Sequence, residues 1–196
     1  MLVANMYAIG FIFVVLGRSE LFTEQTTLAV LSVLNRKATV AALGRSWAVI
    51  YAANLVGAAA FAGLAVLIGP ALGVIDRPVF GTIAVTLTAH PWWVILLSGI
   101  LAGWLMGLLS WLVTASRDTI SQIVIVWLIA SVIGIAHLHH VVVGSVEVLA
   151  GVFAGEGVTW MDFGHFLLWT TLGNAVGGPV FVAVIKYGHA IGGKAT

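Results

Sequence analysis

Four long apolar segments, each close to the length that a helix needs to cross a bilayer, constrain this chain more than any other feature. They cover residues 46–69, 92–115, 120–143 and 163–187. A helix rises about 1.5 Å per residue, so roughly 20 apolar residues cross a hydrocarbon core of about 30 Å. Composition agrees, because 61% of the residues are hydrophobic and only 8% are charged. The sequence therefore predicts an all-α membrane protein in which residues 1–196 form a single transmembrane domain.

Charge placement between these segments predicts the orientation of the chain. Residues 2–34 form one further span with an interruption, which brings the number of spans to five. Cations then alternate between two sides, and one side holds only Arg77. The opposite side collects Arg36, Lys37, Arg45, Arg117, Lys186 and Lys194. Because cytoplasmic loops carry the excess of Lys and Arg, the N-terminus is expected outside and the C-terminus inside.

Two of the spans are interrupted by polar residues at membrane depth. The first span contains the polar stretch 17–25. The fourth apolar run ends in the histidines of 137–140, passes Gly144-Ser145-Val146-Glu147 and resumes over 148–153. Backbone groups freed in such a stretch must be buried in protein or line a cavity. The sequence therefore predicts two broken helices.

The two halves of the chain resemble each other around these interruptions. The stretch 17–21 pairs loosely with 144–148, and the spans that follow carry Asn54-Leu55-Val56-Gly57-Ala58 and Asn174-Ala175-Val176-Gly177-Gly178. Paired interrupted spans indicate an inverted repeat with its permeation site between the breaks. The second half has a complete span before its broken one and the first half has none. We therefore expect five spans of a complete set of six, with the first helix missing.

His140 is the leading candidate for a functional residue. Steps of four, three and four residues place Ile133, His137, His140 and Gly144 on one face of a helix. An ionisable side chain at membrane depth faces a cavity or a partner, because exposing its charge to lipid costs several kcal/mol. The alternative is a neutral histidine bonded to a neighbouring helix. His139 points elsewhere on the helix, and for it the structural alternative is favoured.

Polar residues near the breaks have structural and functional alternatives. Glu20 and Glu147 are expected to accept hydrogen bonds from the free N–H groups that begin each second half-helix. Thr23 either satisfies its own backbone or donates to the permeant species. Asn54 and Asn174 are expected to hold the breaks with their amides, and each could also reach the pore. The dipoles of the half-helices lower the cost of an anion between them.

Taken together, four segments resemble the formate/nitrite transporter family. They are Glu20-Leu21-Phe22-Thr23, Asn54-Leu55-Val56-Gly57-Ala58, the segment around His140, and Leu172-Gly173-Asn174-Ala175-Val176-Gly177-Gly178. The resemblance implies an aquaporin-like inverted-repeat bundle of six helices per protomer. It also implies a homopentamer in the plasma membrane, with one pore in each subunit.

The resemblance assigns pore roles to several residues. Leu21, Phe22 and Thr23 look like the loop of the first broken helix, and His140 looks like the central pore histidine. Leu21 and Phe11 would form the cytoplasmic apolar constriction. The outer constriction would be formed near Tyr7, Met106 and Ile133. A small monovalent anion would enter between the two, where the central histidine polarises or protonates it, so protons are candidate partners too.

Departures from the family pattern indicate a divergent branch. His139-His140 stands where the family usually has Glu-His, and His137 adds a second imidazole. Gly103 occupies a position where asparagine is common. No lysine lies on the outer approach to that helix. These differences leave the transported species open.

Other classes of function are weighed against this one. A pore for a small neutral solute, such as water, ammonia or hydrogen sulfide, would use the same breaks and constrictions. A haem carrier would need axial histidines on facing helices, and a hydrolase would need a nucleophile beside a base. Ser145 lies five residues from His140 without an orienting third group. We expect no enzyme, no metal and no cofactor, and a net charge of +1 without a basic run argues against nucleic acid.

Overall fold

The computed structural model describes residues 2–180, apart from the side chains of residues 2–5, 28 and 31. Regular structure in this part of the chain is all-helical, which confirms the predicted class. The eight helices are α1 (Leu2–Leu16), α2 (Phe22–Leu34), α3 (Val40–Ala71), α4 (Arg77–Thr88), α5 (Trp92–Ala115), α6 (Thr119–Ile135), α7 (Val141–Ala154) and α8 (Trp160–Gly178). Lys186 and Lys194, on which the predicted orientation partly depends, lie outside the described residues.

Two helices, α3 and α5, are each long and apolar enough to cross a membrane. The bounds of α5 coincide with the predicted segment 92–115. α3 is longer than predicted, because it begins at Val40, where the hydroxyl of Thr39 accepts a hydrogen bond from the Ala42 N–H at 3.1 Å. Only Ile50, Ala58, Ala62 and Val66 are buried along this 32-residue helix. α3 therefore packs along one face and leaves the rest of its surface exposed.

The first break separates α1 from α2 and is shorter than predicted. α2 begins at Phe22, so the last four residues of the polar stretch 17–25, which was predicted to interrupt the span, are helical. The polar residues of its first turns are helical because they face protein: Thr23 and Thr26 are fully buried. The hydroxyl of Thr26 also donates to the Thr23 carbonyl at 2.8 Å.

The second break separates α6 from α7 and also differs from the prediction. α6 ends at Ile135 and α7 begins at Val141, so the predicted break residues 144–147 are helical. Glu147 lies well beyond the free N–H groups of the first turn and cannot cap α7. Glu20 lies in the first break, and the N–H that begins α2 is bonded to Oδ1 of Asn54 instead. The expected capping by both glutamates is therefore wrong, and other side chains hold the half-helix N-termini.

The two breaks begin with the same backbone geometry, which agrees with an internal repeat and also occurs at Arg36, after α2. Arg18 and His137 both have left-handed backbones, with φ of 53° and 49°. The N–H that follows each one bonds back to the helix end, Ser19 to the Val14 carbonyl at 2.9 Å and Leu138 to the Ile133 carbonyl at 3.0 Å. This is the Schellman arrangement of a helix C-terminus.

The register of this repeat corrects the one predicted from sequence. Arg18 corresponds to His137, so Leu21 corresponds to His140. The predicted pairing of 17–21 with 144–148 is wrong. That pairing matched small and acidic residues, whereas the repeat is defined by where each first half-helix ends.

α4 was not predicted, because residues 77–88 were treated as a connection between spans. Phe80, Ala84 and Leu87 are its buried face, at the i, i+4, i+7 spacing of an amphipathic helix. α4 packs against α7, where a Cβ added to Gly151 would lie 2.5 Å from the Cβ of Ala84. The connection between α3 and α5 is therefore part of the packed structure.

α5 and α8 approach each other most closely at a series of glycines. A Cβ added to Gly177 would lie 2.1 Å from the Ile100 carbonyl, and one added to Gly103 would lie 2.4 Å from the Asn174 carbonyl. Small residues allow membrane helices to bring their backbones together. This contact fixes the position of Asn174 beside the second break.

Candidate functional site

The two second half-helices, α2 and α7, begin next to each other at the centre of the site. Thr23 is the second residue of α2 and His140 is the residue that caps α7. The hydroxyl of Thr23 and Nε2 of His140 lie 2.8 Å apart, and both side chains are buried. Because helix N-termini carry partial positive charge, both dipoles favour a negative group at this point.

The hydrogen bonds of His140 indicate which ring nitrogen carries the proton. Nδ1 accepts a hydrogen bond from the Val143 N–H at 3.4 Å, which caps the first turn of α7. A ring nitrogen that accepts carries no proton, so the neutral ring holds its proton on Nε2. Nε2 then donates to the Thr23 hydroxyl. The hydroxyl keeps its own proton for a further acceptor.

A cavity of about 340 Å³ adjoins His140. Its lining includes Ile133, His137, His140 and Gly144, the four residues predicted to share a face. They are not on one continuous helix, because residues 136–140 form the break. The four residues come together because α6 and α7 meet at that break. Tyr7 of α1, Glu147 of α7 and residues of α4 complete the wall.

Apolar side chains pack on another side of His140. The ring of Phe11 meets the imidazole edge-on, with 5.3 Å between ring centroids. Phe11, Leu21, Met106 and Ile133 belong to one buried cluster. Met106 was expected near Tyr7 and Ile133. It belongs to the same buried cluster as Ile133, against which Tyr7 packs, although Met106 itself does not line the cavity.

Phe22 lies apart from both the cavity and this cluster. Its ring contacts Trp47 and Tyr51 of α3, with centroids 6.0 Å and 4.8 Å away. It forms a separate buried cluster with Ile50 and Val141. Phe22 therefore joins the starts of α2 and α7 to α3.

Two asparagines hold the breaks in equivalent ways, as the sequence indicated. Oδ1 of Asn54 accepts from the Phe22 N–H at 2.8 Å, and its Nδ2 donates to the Glu20 carbonyl at 3.0 Å. Oδ1 of Asn174 accepts from the Val141 N–H at 2.9 Å, and its Nδ2 donates to the His139 carbonyl at 2.9 Å. Each amide therefore satisfies the N–H that begins a half-helix and a carbonyl of the preceding break.

His139 is held by bonds that sequence reasoning did not find. Its Nε2 lies 3.0 Å from the Leu87 carbonyl of α4, and its Nδ1 lies 2.9 Å from the Ser98 hydroxyl of α5. A carbonyl only accepts, so the proton is on Nε2 and Nδ1 accepts from Ser98. The Ser98 oxygen in turn accepts from the His139 N–H at 3.0 Å. The side chain is satisfied and structural, and the partners are 41 and 52 residues away in sequence.

The fold and the site together define a multi-pass α-helical membrane protein built on two interrupted helices. The family model for the formate/nitrite transporter matches residues 1–188. The chain therefore belongs to the formate/nitrite transporter family, which is one of transporters and not of enzymes.

Relatives with similar sequences agree with this assignment. "Inner membrane protein YfdC" of Escherichia coli (strain K12) is 33% identical over 92% of this chain and 58% of its own length. "Nitrite transporter NirC" of Salmonella typhimurium is 30% identical over 91% of this chain and 66% of its own length. A "Probable formate transporter" of Methanothermobacter thermautotrophicus is 31% identical over 93% of this chain and 72% of its own length. The chain thus spans about three fifths to two thirds of the length of the first two relatives.

A solved structure described as an "FNT family ion channel" has the same fold. It superimposes with a TM-score of 0.85, covers 95% of this chain and 75% of its own, and is 23% identical. The predicted aquaporin-like class with two broken helices is confirmed at the level of the fold. The relative named as an inner membrane protein agrees with the predicted plasma-membrane location.

Proposed function

We propose that this chain forms a channel or transporter for a small monovalent anion of the formate or nitrite type, with passage controlled by His140. The observation that carries the proposal is the contact of the Thr23 hydroxyl with His140 Nε2, at the N-termini of α2 and α7 and beside a cavity. Two relatives are named as a nitrite transporter and a probable formate transporter. Family membership makes the same class of cargo the first to test.

The site offers an anion hydrogen-bond donors and dipoles in place of water. A bare anion in an apolar region meets a large desolvation cost. The Thr23 hydroxyl, which accepts from His140 Nε2–H, offers its own proton to an anion, and two helix N-termini favour negative charge there. If His140 first takes up a second proton, the imidazolium can pass one proton to the anion and return to the neutral ring, and the cargo then crosses as a neutral acid.

Apolar residues lie on both sides of His140, so an ion that passes between them has to pass the histidine. We assign Phe11, Leu21 and Met106 to the inner constriction, because they belong to the buried cluster against His140 and, unlike Ile133 of the same cluster, do not line the cavity. Tyr7, Ile133 and His137 line the outer cavity and are assigned to the approach. We assign Phe22, Asn54 and Asn174 the role of holding the breaks, on the hydrogen bonds and ring contacts described above.

The chain is further proposed to act as a homopentamer. Arg18, Ser19 and Glu20 of the first break are exposed on the protomer, and α3 buries only four residues. Irregular polar backbone within a bilayer requires protein or a water-filled cavity around it. A neighbouring subunit over α3 and the first break supplies that cover. Native mass spectrometry in detergent tests the assembly, and a predominantly monomeric protein would contradict it.

A pore for a small neutral solute remains the second candidate. It is favoured by the cavity lining, which contains the carboxyl of Glu147 and no Lys or Arg among the described residues. A neutral solute would need the donors of Thr23 and His140 but no compensation of charge. Membrane voltage separates the two candidates, because only a charged species responds to it.

Uptake into proteoliposomes tests the proposal. Formate and nitrite uptake should rise when an imposed voltage is positive inside, and His140→Asn should lower that uptake at least tenfold. His165→Asn is the matched control, because it removes a half-buried imidazole of α8 that lies outside the cavity. Voltage-independent uptake of ammonia or water alone would favour the neutral pore. Equal anion uptake by both variants and the wild type would contradict control by His140.

A further inference from the structure

Among the residues that the structure describes, Glu147 is the one acidic residue lining the cavity beside His140. It lies seven residues after His140, which is about 10 Å along the helix axis. Its side chain is half-buried in the cavity wall. The proposed function gives it no role, and a carboxylate at this place opposes the entry of an anion.

We propose that Glu147 is a specificity-determining residue that makes the entry of anions depend on protons. An ionised Glu147 repels the anion from the cavity, and a protonated Glu147 admits it and donates its O–H to it. The inference rests on the proposed function, because it requires an anion that passes His140. It adds the regulation of the cavity by the proton on Glu147, which acts on any monovalent anion.

In the described lining of the cavity, the carboxylate of Glu147 faces no permanently charged cation. The titratable groups that share the cavity are Tyr7 from α1 and the two imidazoles of His137 and His140 from the break. α4 contributes Ile83, Thr86 and Leu87, none of which titrates. Lys and Arg are absent from the described lining. An anion in the cavity therefore meets an uncompensated carboxylate unless Glu147 is protonated.

The size of the repulsion follows from Coulomb's law. Two like charges at about 7–10 Å with an effective dielectric constant near 20 lower the occupancy of the site roughly 15- to 50-fold. This effect depends only on the charge of the permeant ion. Nitrite and nitrate should feel it equally, although only nitrite readily accepts a proton. The role of Glu147 is thereby separable from the role of His140, which distinguishes anions by their ability to share a proton.

The effect is measured as anion influx into proteoliposomes at outer pH values from 5 to 8, with the anion concentration held constant. Wild-type influx of both nitrite and nitrate should rise as the outer pH falls. Glu147→Gln removes the charge and keeps the size, so its influx at pH 8 should exceed that of the wild type by roughly 15- to 50-fold and vary little with pH. Glu147→Asp should restore the pH dependence.

Glu156→Gln is the matched control. It removes one negative charge beyond the C-terminal end of the same helix, from a residue that does not line this cavity. Its influx should follow the wild-type profile. If Glu156→Gln raises the influx as much as Glu147→Gln does, the effect is one of overall charge and the inference is wrong.

Other outcomes separate this inference from the proposed function. If Glu147→Gln matches the wild type at every pH while His140→Asn lowers influx, Glu147 has no such role and the proposed function stands. If no anion enters with any variant or the wild type, the proposed function fails and the inference with it. Should Glu147→Gln not reconstitute, the wild-type profile decides, because influx of nitrate that does not rise at low outer pH overturns the inference.

Discussion

Removing the amide of Asn174 should destabilise the fold more than any other single change at the breaks. The side chain is fully buried and makes three hydrogen bonds, to the Val141 N–H at 2.9 Å, the Gly99 carbonyl at 2.8 Å and the His139 carbonyl at 2.9 Å. Each such bond is worth about 0.6–1.5 kcal/mol in a membrane protein. Asn174→Ala should therefore lower the free energy of unfolding by about 2–4 kcal/mol, because three buried groups lose their partner.

Asn54→Ala is the matched comparison, because Asn54 occupies the equivalent position at the first break. It makes two hydrogen bonds, to the Phe22 N–H and the Glu20 carbonyl, and the site is only partly buried. Water can replace part of what is lost, so we expect a decrease of about 0.5–2 kcal/mol. Reversible unfolding in mixed detergent micelles measures both values. Burial and the third hydrogen bond should make the second break the more strongly held of the two. This reasoning is refuted if Asn174→Ala lowers the free energy of unfolding no more than Asn54→Ala does.

Three further predictions concern the ends of helices. His137→Gly should stabilise the protein by about 1 kcal/mol in the same unfolding assay, because His137 has a left-handed backbone that glycine adopts without strain; a loss of stability would show that the imidazole itself holds the break. Thr159→Ala should cost about 1 kcal/mol, because Thr159 forms a reciprocal capping box with Asp162 at the start of α8, and an unchanged unfolding midpoint would contradict this. The backbone N–H and then the hydroxyl of Ser121 lower the pKa of the Asp118 carboxyl. The stabilisation by Asp118 is therefore complete above the ordinary aspartate pKa and lost as pH falls through the lowered value, a dependence that Asp118→Asn should remove when stability is measured from pH 6 to pH 2.

The sequence was most informative where one physical requirement acts along a continuous segment. The length and apolar character of α5 predicted its bounds, since a helix in lipid must satisfy its own backbone along its whole length. The ends of the half-helices were misplaced, because Thr23 and Thr26 are polar yet helical and buried. Polarity indicated a break in the general region, whereas the left-handed residues Arg18 and His137 define where it begins.

The candidate site could be predicted only in part, for a related reason. Asn54 and Asn174 were identified because an amide next to a broken helix can satisfy backbone groups on both sides of it. The hydrogen-bond partners of His139 were not identified, because Ser98 and the Leu87 carbonyl come close to it only when α4 and α5 pack together. The spacing of the buried face of α4 was present in the sequence, but the segment lies between two longer apolar spans and was treated as their connection.

The control of passage by His140 is tested most directly by one ratio, the influx of nitrite divided by that of nitrate. The two ions have the same charge and similar size, and they differ chiefly in their readiness to accept a proton. In the wild type the ratio should favour nitrite, and His140→Asn, which keeps a hydrogen bond to Thr23 within reach but offers no titrating proton, should bring the ratio close to one. A His140→Asn protein that reconstitutes and keeps the wild-type ratio would contradict the role of His140.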